Sequence, residues 1–550
     1  YDIILFFSLQ ILLVSFLACS DLTNGLPLLT SDFHKSIKIG RFNRCTINFK
    51  SLVNQREESK YQGAQREKTS LLSIRGGSQA VLSVLDNFGL ATPTSLFNSL
   101  LLGLAVLTVA GKTAIAASNK KTIVQSDAKP ASVSALQYKF LAVFWLMRLA
   151  DWLQGPYFYE VYSSKILNGV PVSLDLVSKL FLVGFASTGI FGPWIGRLVD
   201  NVGRRAGTIA YAVLYSIGAL STRSNLLSVL LAGRVAGGLG TSLLFSAPEA
   251  WLVGEYQQLN VTSSGNWLGE TFGWAYAGDS LVAILAGQLA SMTAAKQGPT
   301  GPFTLSVLFL TIGSLLTLLT WGENTAPQQK KEANNAENGA EGTEKSSNSI
   351  KAALEVMSKD KRILLLGAVQ ALFEGAMYIF VLQWPPAIKA AILSSPLFSS
   401  AAAAVPFGGI FSCFMACCLL GSTLFGVLAK WGVQVERSFA SMLYVAALAI
   451  SAATYFGSAH LSVLVAAFFV FEACVGMYFP SIGTLRSRYL PDAQRSVIMN
   501  LFGIPLNLIV VSVFLSINTL GVSGALTCAS AALGIASLCM TLLANSAKKE

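Results

Sequence analysis

The sequence has 550 residues, of which 53% are hydrophobic and only 12% are charged, and its mean hydropathy is +0.57. Soluble domains carry about a quarter charged residues, so this composition excludes a wholly soluble protein. The formal net charge of +11 does not indicate nucleic-acid binding, because the basic residues lie in short connections between apolar runs.

Residues 1–94 precede the main apolar region and divide into two predicted segments. Residues 1–20 resemble a signal peptide, since an apolar run ends there in small residues that suit a cleavage site. Residues 21–94 are largely polar, and an organellar targeting sequence and a disordered lumenal tail both remain open for them. Residues 95–117 form an apolar run that predicts an extra transmembrane helix, with Lys112 near one end.

Twelve further runs are long and apolar enough to cross about 30 Å of hydrocarbon, which takes roughly 20 helical residues. When residues 119–139 are placed in the cytoplasm, the segments on that side hold 21 Lys and Arg, whereas the opposite loops hold five. This asymmetry satisfies the positive-inside rule and predicts that both ends of the twelve-helix core are cytoplasmic. The runs lie near 136–158, 174–196, 206–222, 226–252, 266–290, 303–322, 362–385, 404–429, 438–456, 461–484, 496–517 and 519–543.

The twelve runs divide into two sets of six. The polar, low-complexity segment 324–349 separates the sixth run from the seventh and cannot bury a core. Gly196 and Gly426 each follow the second run of their set, and Pro248 and Pro480 each lie in the fourth. We therefore expect an all-α membrane protein with two pseudo-symmetric six-helix bundles, the layout of major-facilitator transporters. The predicted regions are an N-terminal bundle at 136–322, a flexible cytoplasmic linker at 323–360 and a C-terminal bundle at 361–545.

The segment GRLVDNVGRR, residues 196–205, resembles the signature loop between helices 2 and 3 of the major facilitator superfamily. Arg234, with the glycines that follow it and Pro248, resembles the fourth-helix motif of the same superfamily. The positions that match the signature loop are Gly196, Asp200, Gly203, Arg204 and Arg205.

Within that superfamily, the chain resembles the molybdate-anion transporter family, with matching segments in the same order over about 136–545. The resemblance implies a secondary active transporter that moves an oxyanion, molybdate above all, by alternating access. Its segments are DWLQGP at 151–156, LLFSAPEAW at 243–251, WGEN at 321–324, LLLGAVQALFEG at 364–375 and YFPS at 478–481.

The resemblance also implies a conformational gate in the signature loop. Asp200 is expected near the start of the eleventh helix, around 494–496, because a helix N-terminus favours a carboxylate by about 0.3–1 kcal/mol. Asp200 would also pair with Arg204 or Arg205, and Gly196 and Gly203 would permit a tight turn. Such a contact would join the two halves and close the cytoplasmic side. A positive-inside stop signal with an incidental acid is the alternative.

Charged side chains inside the apolar runs are the candidates for substrate binding, since each must find a partner or a water-filled cavity. Arg148 and Arg234 are the mid-membrane arginines, and a guanidinium offers an oxyanion both charge and donors. Arg148 and Asp151 share a helix face, so mutual neutralisation remains an alternative, as does a structural pair for Arg234. Protonated Glu374 or Glu249 would couple uptake to protons. The substrate-binding candidates are Arg148, Asp151, Gln154, Tyr157, Arg234, Glu249, Gln370, Glu374 and Glu472, while Glu270 and Asp279 are expected to be structural.

Other functions are disfavoured or left open by the residue inventory. The chain has no HExxH motif, and its two histidines, His34 and His460, cannot build a catalytic triad, so we expect neither an enzyme nor a bound metal or cofactor. The expected partners are a small anion, protons and the lipid bilayer, and no nucleic acid is expected. The protein is expected to be a monomer. Sulfate, an organic anion or a sugar remains an alternative substrate, and a non-transporting sensor an alternative function. The plasma membrane and an organelle membrane, such as a plastid envelope, both remain open.

Overall fold

The computed structural model describes residues 92–118, 129–259, 267–325, 354–395, 398, 405–457, 459–491 and 495–547. The predictions for residues 1–91, which include the signal-peptide-like segment and most of the polar tail, lie outside the described residues. The predictions for the linker between 326 and 353 lie outside them as well.

The first part of the chain is helical, with one short hairpin, β1 (Ile166–Leu167) and β2 (Val170–Pro171), in which Ile166 pairs with Pro171. Short 3-10 turns at Gly155–Tyr157 and Gly298–Thr300 join neighbouring helices. The helices are α1 (Pro93–Ser118), α2 (Ala131–Gln154), α3 (Phe158–Ser163), α4 (Leu174–Val202), α5 (Arg204–Ser221), α6 (Leu227–Leu244), α7 (Ala247–Gln258), α8 (Trp267–Gln297) and α9 (Gly301–Thr320).

The second part consists of α10 (Lys361–Ser394), α11 (Phe407–Lys430), α12 (Val435–Phe456), α13 (Leu461–Tyr489), α14 (Arg495–Leu515) and α15 (Ile517–Ala547). The described residues contain 10 spans that are long and apolar enough to cross a membrane, one of which, Trp267–Thr320, holds both α8 and α9. The extra helix predicted at 95–117 is α1, and its apolar part, Pro93–Thr113, is among these spans. The all-α membrane fold expected from the sequence is therefore confirmed.

The two halves repeat the same set of helix neighbours. In the first half, α2 packs on α8 and α9, α4 on α6, and α5 on α6 and α9. In the second half, the helices at the corresponding positions do the same, since α10 packs on α14 and α15, α11 on α13, and α12 on α13 and α15. This correspondence agrees with the expected pseudo-symmetry, although the sequences of the halves differ.

Helix α11 connects the second half to two other parts of the molecule. The hydroxyl of Ser412 donates to the Ile284 carbonyl at 2.8 Å, and the amide of Gly409 donates to Ser291 Oγ at 2.9 Å, so α11 is bound to α8 of the first half. Its main contact outside the two halves is α1, where the thiol of Cys413 donates to the carbonyl of Phe97 at 3.3 Å. Helix α1 thus packs on the second half, although it is followed in sequence by the first.

The structure corrects two expectations about helix boundaries. GRLVDNVGRR is not a loop, because α4 continues to Val202 and α5 begins at Arg204. Only Gly203 interrupts them, with φ of 131°, a backbone conformation that side chains rarely adopt. The run predicted at 226–252 is two helices, since α6 ends at Leu244 and α7 begins with Pro248 in its first turn, where its missing amide hydrogen costs nothing.

Candidate functional site

Aromatic side chains join the two halves at the end opposite to the start of α2 and α10. The end where α2 and α10 start carries most of the loop Lys and Arg and is called the basic end below. Four pairs of rings cross from one half to the other, and we call them the aromatic seal. The pairs, with their centroid distances, are Trp152–Phe411 (5.7 Å), Tyr157–Phe407 (5.8 Å), Phe181–Phe514 (5.3 Å) and Phe185–Tyr378 (4.9 Å).

An ion pair reinforces the aromatic seal. The ammonium of Lys389, near the end of α10, donates to both carboxylate oxygens of Glu160 in α3 at 2.8 Å. Because the two residues belong to different halves, separation of the halves at this end requires the pair to break.

Arg148 lies in a cluster of charges within the first half. Its guanidinium donates to both oxygens of Asp279 at 2.9 Å and to Asp151 at 3.3 Å, and Trp152 Nε1 also donates to Asp279 at 2.8 Å. The hydroxyl of Tyr215 donates to the other oxygen of Asp151. Arg148 is 8% exposed, so water has little access to it. Three of its N–H donors are already bonded to carboxylates. The sequence brought Arg148 and Asp151 together but missed their cross-helix partners.

Gln154 and Tyr157 follow Arg148 within about two and three helical turns, and the sequence therefore predicts that they extend its face, but the structure places them elsewhere. The amide of Gln154 donates to Ser306 Oγ on α9 at 2.9 Å, within the first half. Tyr157 belongs to the aromatic seal, and its hydroxyl lies beside Ser291 and the backbone of Gly408. The physical reason is that α2 ends at Gln154 and a 3-10 turn follows, which changes the angular spacing of successive side chains.

Among the described residues, neither Arg234 nor Glu249 is bonded to Arg148, Asp151 or Asp279, although Tyr215 and Tyr276 lie close to both sets. Arg234 donates to the carbonyl of Leu180 at 3.2 Å, and its guanidinium stacks over Phe158 at 4.6 Å, next to the aromatic seal. No ion pair of Arg234 is found among the described residues. Glu249, in the first turn of α7, accepts a hydrogen bond from the hydroxyl of Tyr276 on α8.

The second half holds a cluster that the sequence identified only in part. Glu374 Oε1 accepts from Tyr478 at 2.8 Å and from Arg486 Nη2 at 3.2 Å, and Arg486 Nε donates to Gln370 at 3.1 Å. Arg486 follows the apolar run 461–484, so hydropathy assigns it to a cytoplasmic loop, but α13 continues for three residues beyond it. Helical side chains tilt toward the helix N-terminus, so Arg486 reaches back into the membrane-spanning part. The sequence did contain one indication of this pair. Glu374 lies in the middle of a membrane-spanning helix and needs a cation, and Arg486 is one of the arginines that could provide it.

The two charged clusters are related to the aromatic seal in the same way. Arg148 precedes Trp152 by one helical turn, and Glu374 precedes Tyr378 by one turn. Since α2 and α10 both run away from the basic end, each cluster lies about 5 Å to the basic side of a seal residue. The Glu374–Arg486 pair is the more accessible one, because both side chains are 21% exposed against 9% for Arg148.

Glu472 is in none of these clusters. It is 7% exposed in the middle of α13, and no arginine or other hydrogen-bonding partner of its carboxyl is found among the described residues. Cys417 and Cys418 of α11 lie near its carboxyl group, and its role in substrate binding stays a prediction.

The expected gate stays a prediction, and the start of α5 is bound by a contact within the first half. The side chain of Asp200, the surroundings of Gly196 and the side chains of residues 494–496 lie outside what the structure describes. At the start of α5, Glu323 accepts from the amides of Arg205 and Ala206 at 2.9 and 3.0 Å. The side chain of Arg205 donates to the carbonyl of Leu318 at 3.0 Å. The sequence reasoning missed Glu323, which belongs to the motif WGEN.

The remainder of WGEN fixes this contact to α7. The rings of Trp321 and Trp251 stack at 3.8 Å, and Trp251 Nε1 donates to the carbonyl of Gly322 at 2.9 Å. The side-chain amide of Asn324 donates to the Trp251 carbonyl at 3.1 Å, while the Asn324 carbonyl accepts from the amide of Arg204 at 3.0 Å. Glu323 is thus held rigidly at the N-terminus of α5, where its charge is favourable.

Comparison with known proteins places this architecture among transporters. A family profile described as sugar transporters with twelve transmembrane helices matches residues 96–477. Molybdate-anion transporters from Takifugu rubripes and Xenopus tropicalis are each 31% identical to the chain, over 389 and 381 residues, covering 68% of this chain and 77% of theirs.

Solved structures share the fold at low sequence identity. An auto-inhibited peptide transporter of the POT family superposes with a TM-score of 0.56 at 13% identity, covering 76% of this chain and 97% of that one. A nucleoside transporter superposes with a TM-score of 0.53 at 15% identity, covering 75% and 98%.

Proposed function

Because the chain belongs to the molybdate-anion transporter family of the major facilitator superfamily, we propose that it carries molybdate by alternating access. It is a multi-pass integral membrane transporter and not an enzyme. The observation that supports an anion pathway best is the Glu374–Arg486 pair, which lies one helical turn to the basic side of Tyr378, a residue of the aromatic seal.

Arg486 is the arginine best suited to bind the oxyanion. A tetrahedral dianion needs positive charge and hydrogen-bond donors, and a guanidinium supplies both. Arg486 has one carboxylate partner at 3.2 Å, and the amide of Gln370 and the hydroxyl of Tyr478 lie beside it. Arg148 is poorly suited, because two carboxylates already occupy it and leave its cluster with a net negative charge. In this proposal Arg148, Asp151 and Asp279 support the first half.

Glu374 couples the anion to protons in this proposal. Its carboxylate and the substrate compete for the same guanidinium. Protonation of Glu374 removes the negative charge beside Arg486 and frees its donors for molybdate. Loss of the proton on the basic side restores the ion pair and displaces the anion. Uptake is then expected to increase when the side from which molybdate enters is acidic.

The closed end defines the state of the transport cycle. The aromatic seal and the Glu160–Lys389 pair close the end opposite to the basic loops. With the basic end in the cytoplasm, as the distribution of Lys and Arg predicts, the closed end faces away from the cytoplasm. Access from the other side requires the seal to open and the halves to meet at the basic end, where the expected contact of Asp200 would form.

Uptake of labelled molybdate into vesicles that contain the purified protein tests this function. We expect saturable uptake that Arg486→Gln abolishes and Arg488→Gln leaves intact. Arg488 is a matched control, because it lies two residues further along α13 and is bound to Glu436. Equal loss in both variants would contradict a specific role for Arg486.

A sugar is the second candidate substrate, because the matching family profile carries that description. Competition assays separate the two. Sulfate in excess is expected to reduce molybdate uptake, since it offers the same charge and tetrahedral shape, whereas glucose is expected to have no effect. Competition by glucose without competition by sulfate would favour the sugar.

A further inference from the structure

Glu472 is a carboxyl group in the middle of a membrane-spanning helix with no cation to balance it. It lies at the twelfth position of α13, is 7% exposed, and forms no ion pair or hydrogen bond with another described residue. An ionised carboxylate in such a place loses its hydration without compensation, so the neutral acid is strongly favoured.

The charged groups on the neighbouring helices do not relieve this isolation. From α11, the thiols of Cys417 and Cys418 face Glu472, and neither carries positive charge. On α10, Glu374 is bound by Tyr478 and Arg486, about 9 Å or more along α13 from Glu472. On α12, Glu436 is bound by Arg488, about 24 Å along the same helix.

Helix α11 links the surroundings of Glu472 to the contact between the halves. Helices α11 and α13 cross with their backbones in contact, since a Cβ atom on Gly476 would lie 1.8 Å from the carbonyl oxygen of Cys418. About two turns before Cys418, the same helix is bound to α8 through Ser412 and Gly409. These bonds join the two halves, so separation of the halves at the sealed end would strain them, and a shift of α11 over α13 would admit water to Glu472.

We propose that Glu472 is a second proton-binding site, which holds a proton while the aromatic seal is closed and releases it when the seal opens. It is separate from Glu374, which acts on the anion directly. By linkage, a proton bound more tightly in the sealed state stabilises that state, so low pH favours the sealed state and high pH favours the open one. One such group changes the ratio of the two states by up to tenfold per pH unit. Only the consequence for transport rests on the proposed function.

Infrared difference spectroscopy of the full-length protein in lipid discs tests the bound proton without any transport assay. At neutral pH and without substrate, we expect the carbonyl-stretch band of a protonated carboxyl group in the wild type and its loss in Glu472→Gln. Glu374→Gln is the matched control and leaves this band unchanged, because Glu374 is paired with Arg486 in this state. A band that is absent in the wild type, or whose intensity is the same in Glu472→Gln, would overturn the proposal.

A distance measurement tests the coupling to the seal. Spin labels on unnatural amino acids at Asn168 and His460, both exposed and on opposite halves at the sealed end, report its opening. We expect the fraction of long distances to rise with pH in the wild type and in Glu374→Gln, and to stay low in Glu472→Gln. The same pH response in Glu472→Gln would refute the coupling. A wild type with both responses but no molybdate uptake would support this inference and contradict the proposed function.

Discussion

Replacement of Arg148 separates a supporting role from anion binding. Arg148→Met removes the only cation that is bonded to Asp151 and Asp279 among the described residues. Arg148 is 8% exposed, so the two carboxylates that remain lie in a largely buried cluster without a positive charge. Loss of one partner from a buried ion pair costs about 3–5 kcal/mol. With two acids left unbalanced, we expect the upper part of that range, which is enough to deplete the folded protein.

A second substitution is expected to rescue this variant. Arg148→Met combined with Asp279→Leu removes one cation and one anion, so the net charge of the cluster is unchanged and Tyr215 still binds Asp151. Apolar side chains of similar volume often replace a buried pair without loss of stability. We therefore expect the double variant to recover most of the stability, with a coupling energy of about 2–3 kcal/mol.

Two assays on the same samples decide between the roles. Thermal stability is read from the fraction of monodisperse protein that remains after heating, and function from molybdate uptake into vesicles. If Arg148 only supports the first half, the double variant regains both. A double variant that is stable but takes up no molybdate would refute this reasoning and restore Arg148 to the substrate site.

Three further substitutions test contacts outside the charged clusters. Glu323→Ala removes the cap of α5 and is expected to cost about 0.5–2 kcal/mol in thermal stability, most of which Glu323→Asp should not recover because its side chain is shorter. Lys389→Met breaks the ion pair with Glu160, and such partly exposed pairs contribute about 0.2–1 kcal/mol. The population with long distances between spin labels at Asn168 and His460 should therefore rise by no more than about fivefold. Asp360→Ala removes the cap of α10 at a cost of about 1 kcal/mol. Partial burial acts to raise the pKa of Asp360, but its bonds to the amide and guanidinium of Arg362 lower the pKa overall. The stabilisation by this cap is therefore present above the ordinary pKa of an aspartate and is lost as the pH falls. The wild type and Asp360→Ala should converge in stability in acid.

The helices were predictable because each apolar run must be long enough to cross the hydrocarbon core of the bilayer. Their boundaries were less so, and the segment GRLVDNVGRR shows why. Its polar residues suggested a loop, but a helix can present Arg204 and Arg205 to the rim of the membrane without unwinding. The break falls on Gly203 alone, where a Cβ atom would lie 2.4 Å from the carboxyl carbon of Glu323, a residue that hydropathy does not connect to this segment.

The charged clusters were half predictable for a similar reason. The pair of Arg148 and Asp151 follows from helical spacing, whereas Asp279 lies 131 residues away and is brought near only by the packing of α8 on α2. Arg486 was hidden because hydropathy assigns it to a loop, although its side chain extends back to Glu374. Helical periodicity relates residues within one turn or two, and it is silent about partners on other helices.

The position of α1 bears on how the protein is made. Its main partner is α11, and the bonded residues Phe97 and Cys413 are 316 positions apart in the chain. During synthesis α1 enters the bilayer long before α11 leaves the ribosome, and it cannot join its binding groove until most of the polypeptide has been inserted. The second half, if produced as a separate fragment, would expose the face of α11 that contacts α1 to lipid. A late step in the folding of this transporter therefore depends on a segment that was translated early.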